Sequence, residues 1–207
     1  MGLSVCVGVL ANMDDEEGAE WLREQMATAN SVLEAHGLPP HEEPQTPVEA
    51  SRAALDGFPY SWIHTLRRAY AHCVMRPGRP LRLLRRDEDG ADDPDVDRLA
   101  HELTSHLITH SDAEGLYLPI DFARVIVDES LAGGMLGSTP RLMRELVQVA
   151  PVLGIKLRGQ ELSDAEADII NGELEPQPPL WRERTVWLQL YEAARLSLEH
   201  GAAIVFQ

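Results

Sequence analysis

The chain has 207 residues, 44% of them hydrophobic and 25% charged, which suits one sizeable globular domain. Asp and Glu number 34 against 18 Lys and Arg, a formal net charge of −16. So acidic a chain repels phosphate backbones and anionic membranes, which argues against nucleic acid and membrane partners; it permits a basic protein partner, beside the plainer reading that the acid keeps the chain soluble and monomeric.

Residues 3–11 are short and rich in β-branched side chains, and read as a buried strand. The first ten residues lack the basic region of a signal peptide, and no apolar run approaches the ~20 residues of a bilayer-spanning helix, so a cytoplasmic protein is expected. The acids Asp14, Asp15, Glu16 and Glu17 suit a helix N-terminus and open a helix predicted over 15–36. Its inner stripe is Trp21, Leu22, Met26, Ala29, Val32 and Leu33. Gly37 and Pro39-Pro40 end it, and residues 37–50 form an irregular connector.

A second helix is predicted over 59–75, with Tyr60, Ile63, Leu66, Tyr70 and Val74 facing inward. Arg82, Arg85 and Arg86 then meet the acidic run Asp87–Asp95, which lacks the spacing of a calcium loop and reads as solvated. A third helix is predicted over 95–109 on Leu99, Leu103 and Leu107. Residues 116–120 and 122–128 read as strands, and Gly133, Gly134 and Gly137 as a flexible turn. Thr139 and Pro140 open a helix to about Ala150, and the capping box Ser163–Glu166 opens a short helix to about Asn171. Pro176, Pro178 and Pro179 mark a loop. The last helix, about 180–199, buries Trp181, Val186, Trp187, Leu190, Ala194 and Leu198, and residues 202–206 close the chain as a strand. The fold class is α+β: a small central sheet holding both chain ends, packed with five to six helices in a single domain over 1–207.

Chemistry concentrates at residues 106–117. On a continuing helix His106 and His110, four apart, share a face. With Asp112 from the following turn they make a candidate metal site, and Glu114 a candidate general base for a metal-assisted hydrolase. The competing reading is structural: a histidine in a last helical turn, followed by Ser111 and Asp112 as turn residues. His64, Arg68 and His72 form a second stripe, read as the rim of its helix. The Gly133–Pro140 segment lacks the lysine of a phosphate loop. Cys6 and Cys73 read as buried thiols, and no nucleophile elbow is present. No cofactor is expected.

The segment His110-Ser111-Asp112-Ala113-Glu114-Gly115, followed by Tyr117 and Pro119, resembles a stretch in uncharacterised bacterial proteins, some of them similar to immunity proteins of polymorphic toxin systems. The resemblance covers residues 105–122. It implies a polar turn at His110, Ser111, Asp112, Glu114 and Gly115, and no reaction; the candidate binding residues are His110, Ser111, Asp112, Glu114 and Tyr117. The leading expectation is therefore an acidic interaction module, an immunity-type inhibitor of a basic partner, with the hydrolase as the alternative.

Overall fold

Alternation along two central strands decides the layering. A computed structural model describes residues 2–13, 15–85, 88–175 and 177–207, so Asp14, Arg86, Asp87 and Pro176 of the readings above lie outside the described residues. In β3 (Gly115–Leu118) and β8 (Ile204–Phe206), Leu116, Leu118 and Val205 enter one apolar cluster, while Tyr117, Ile204 and Phe206 enter another on the opposite face. Period-two alternation of this kind buries both faces of a sheet.

The sheet has six strands in the order β2-β1-β8-β3-β5-β4. These are β1 (Gly2–Val7), β2 (Gly57–Pro59), β4 (Ile126–Val127) and β5 (Met135–Ser138) around the central pair. All neighbours are antiparallel except β3 and β5. The two chain ends lie in one sheet as expected, and there they pair directly, Val5 opposite Phe206 and Val7 opposite Ile204. A two-stranded hairpin, β6 (Leu157–Arg158) with β7 (Glu161–Leu162), stands apart.

Among the described residues there are seven α-helices. One sheet face carries α2 (Tyr60–Met75), α3 (Pro94–Ala100), α4 (His106–Thr109), α5 (Thr139–Val149), α6 (Asp164–Gly172) and α7 (Trp181–His200), whose apolar residues share the larger cluster. The other face is covered by α1 (Glu16–Ala35) alone among these helices, through Leu22, Met26, Ala29, Val32 and Leu33.

Several expectations are corrected. The first strand stops at Val7 because Gly8 turns at φ 62°, a left-handed backbone that favours glycine, where a Cβ would also meet Val48 at 2.7 Å. The helix expected over 95–109 is two helices, with Leu103 at φ 55° and Ser105 capping the second by accepting from the Ile108 N–H. Of the strand expected over 122–128 only Ile126 and Val127 pair. The glycine turn at 133–137 runs into β5, which has little apolar content to announce it. The helix after it is capped by Ser138 rather than Thr139. Trp21, Val74 and Leu198, placed inward, are exposed. Cys6, Cys73 and Trp181, read as buried, are half-buried.

Candidate functional site

The chain leaves its helix at Thr109: His110 has φ −59° and ψ 152°, so the two imidazoles do not share a helical face. His106 is fully buried, and its Nδ1 accepts the Ser138 N–H at 2.9 Å. His110, 2% exposed, stacks on Tyr117 with ring centroids 4.0 Å apart, and its ring nitrogens meet the Ser111 and Leu116 carbonyls at 3.1 and 3.0 Å. Asp112 turns away and lies 3.1 Å from His64 Nε2. Ser111 Oγ accepts the Ala113 and Glu114 N–H groups, a local turn bond, and leaves Glu114 exposed. The ligand set His106, His110 and Asp112 is thus not assembled. Nor do His110 and Tyr117, both buried, offer a binding surface.

What assembles instead is a buried polar clamp around α4. At its N-terminus the Glu145 carboxylate accepts from Ser105 Oγ and from the His106 and Leu107 N–H groups at 3.0, 2.9 and 2.7 Å. At its C-terminus the Arg67 guanidinium donates to the Leu107 carbonyl at 2.9 Å and to that of His110. An anion at one end and a cation at the other match the free N–H and C=O groups of a helix too short to satisfy its own. Tyr117 Oη donates to the His106 carbonyl at 2.8 Å.

Burial sets the protonation states. It pushes the Glu145 carboxyl up to about 7 against its three hydrogen bonds. It lowers His106 and His110 to about 4, so both rings are neutral near neutrality. For His106 the Arg141 charge adds to the effect, and a neutral ring is what the Ser138 N–H requires at Nδ1. Sequence reasoning missed Arg67 and Glu145. Their signal is positional, since each interrupts an apolar helical stripe, Arg67 beside Ile63, Leu66 and Tyr70, and Glu145 between Leu142 and Val149.

The other candidates resolve similarly. Arg68 is not a rim residue: it is 5% exposed, with Nε 3.2 Å from Asp93 and Nη2 donating to the Arg82 carbonyl. The described part of the acidic run is pinned rather than freely solvated, Glu88 by Arg82 and Asp95 by Arg76. Gly133 and Gly137 form no phosphate cradle. A Cβ on Gly137 would strike the Tyr117 ring, and one on Gly133 the Glu114 carbonyl. Arg141 and Arg144, just beyond, both pair with Asp121. Among the described residues one group of three, Glu49, Glu199 and His200, has metal-binding spacing, but the Arg195 guanidinium pairs with both glutamates.

One row of unpaired acid lies along α1. With α1 alone covering its sheet face, the opposite side of that helix is the outer surface of the layer. Glu16, Glu17, Glu20, Glu24 and Glu34 are exposed there. Among the described residues none of them is in an ion pair, whereas eight arginines are engaged with carboxylates. At 3.6 residues per turn the five glutamates occupy an arc of about 100°, almost opposite the buried stripe. Trp21, 42% exposed, flanks the arc.

A family model described as "Putative DNA-mimic protein" matches residues 1–206. The chain belongs to this family. No curated protein and no solved structure matches it. Among the described residues no helix is long and apolar enough to cross a membrane.

Proposed function

We propose that this member of the DNA-mimic family is an acidic interaction module that occupies the DNA-contacting surface of a basic protein, with the outer face of α1 standing in for a row of phosphates. The unpaired glutamates of α1 carry the reading. Glu16 and Glu34 are about 27 Å apart along a helix rising 1.5 Å per residue, a span in which one DNA strand carries about eight phosphates. Five carboxylates over that length are a sparser array of the same sign. Electrostatic attraction of this kind speeds encounter and weakens with salt. The finer part of the proposal is that occupancy inhibits the partner, as the immunity-type resemblance implies.

The test is capture from the source organism with the full chain, followed by competition. Duplex DNA and raised salt are expected to release the captured protein, and Glu17→Gln/Glu20→Gln/Glu24→Gln is expected not to retain it. A partner that stays bound in excess DNA, or that binds the triple variant equally well, refutes the proposal.

A further inference from the structure

Residues 83–85 and 88–90 and the residues 177–183 at the start of α7 enclose an open groove of about 630 Å³. Its walls combine apolar surface from Leu84, Pro178 and Trp181 with the carboxylates of Glu88, Asp89 and Glu183 and the guanidinium groups of Arg85 and Arg182. Leu180 and Gln177, in the wall, hold left-handed backbone at φ 66° and 58°, strain that tends to gather at sites.

Glu183 is the unexplained group. It is 6% exposed and lines the groove, yet among the described residues it makes no ion pair and no side chain donates to it. Glu88 is held by Arg82, and Asp89 caps Ala91. Two arginines act on Glu183 at a distance without touching it. Arg68 is committed to Asp93 and the Arg82 carbonyl, and Arg182 lies over Trp181, 5.5 Å from its ring centroid. The early position of Glu183 in α7 favours an acid through the helix dipole, but such acids are ordinarily solvated. Burial pushes its carboxyl up, against a bond from its own backbone N–H and the charges of Arg68 and Arg182.

A cation entering this groove meets a buried carboxylate beside an indole. Arginine fits that pair better than lysine: its planar guanidinium is weakly hydrated, bonds a carboxylate with two N–H groups and stacks on aromatic faces. We propose that the groove receives an arginine side chain of the partner protein, its guanidinium paired with Glu183 and lying against Trp181. The inference deepens the proposed function and rests on the partner being basic, but its site is separate from α1.

The probe is the capped tripeptide Gly-Arg-Gly, titrated into the full chain and followed by the indole N–H resonance of Trp181, assigned with Trp181→Phe. Saturable shifts of that resonance are expected. Affinity is expected to fall roughly tenfold or more when citrulline replaces arginine or when Glu183→Gln removes the charge, the worth of one charge-assisted hydrogen bond. Glu183→Asp, which keeps the charge, is expected to retain part of the binding, and thermal unfolding verifies that both variants fold. Citrulline binding as tightly as arginine, Glu183→Gln without effect, or no Trp181 shift at millimolar peptide each overturns the inference. The triple α1 variant separates the two readings. Unchanged peptide affinity in that variant leaves the groove standing while partner capture judges α1, and a peptide that binds through α1 instead overturns the groove alone.

Discussion

Glu145→Gln tests the clamp on α4 most directly. In the folded chain burial holds the Glu145 carboxyl at about 7, against an ordinary 4.5 in the unfolded chain. A raised carboxyl stabilises the fold fully below the unfolded value, and that contribution is lost as pH rises through the folded one. The difference of 2.5 units corresponds to about 3 kcal/mol, roughly 2.5 kcal/mol of it between pH 5 and pH 8. Glutamine carries no such dependence. Its amide has one acceptor oxygen where Ser105 Oγ and two N–H groups now share two, so at pH 5 the variant is expected to be less stable by about 1 kcal/mol or more. At pH 8 the wild type carries the full cost of the buried charge, and the order is expected to reverse. The assay is urea unfolding across this range, followed by the fluorescence of the fully buried Trp187, whose indole N–H donates to the Leu146 carbonyl. A stability difference that stays flat from pH 5 to pH 8 refutes the reasoning, since it means that Glu145 titrates alike folded and unfolded.

The same titration carries a second prediction. His106 and His110 fall from 6.5 to about 4 on folding, so their stability is present above pH 6.5 and lost on acidification toward pH 4. Two protons lost against one gained at Glu145 give a net fall of about 1.4 kcal/mol per pH unit between pH 6.5 and 4.5, and about twice that in Glu145→Gln. Gly137→Ala drives a methyl into the Tyr117 ring, itself stacked on His110, and is expected to cost about 1–3 kcal/mol in denaturant unfolding. Arg67→Met leaves the Leu107 and His110 carbonyls buried without their donor and is expected to cost about 3 kcal/mol, with α4 the first region to lose hydrogen-exchange protection. By contrast, the triple α1 variant is expected to leave the thermal midpoint unchanged or slightly higher while partner capture is lost, because its glutamates touch no partner within the chain.

Residues 105–117 show how far local pattern reaches. Ser111 as a turn residue was legible, because its hydroxyl needs only the N–H groups two and three positions on. The proximity of His106, His110 and Asp112 in sequence was legible too, but whether they converge depended on where the helix ends. At that end the carbonyls of Leu107 and His110 are taken by Arg67, about forty residues away in the chain. Arg68 misled for a related reason: its stem suits a helix rim, and it is buried where Arg82 and Asp93 lie against it.

The amino-acid sequence by itself determined the fold class, the presence of both chain ends in one sheet, the long helices α1, α2 and α7 to within a residue or two, and the acidic character that permits a basic partner. Those features follow from periodicity, caps and net charge, which are properties of near neighbours or of plain composition. Tertiary structure alone decided which carboxylates are free. Eight arginines find acids inside the molecule, His106, His110 and Tyr117 turn inward, and α1 is the one helix among those described to cover its sheet face, with its glutamates outward. No short-range pattern contains that outcome, because which charges pair depends on contacts between residues far apart in the chain.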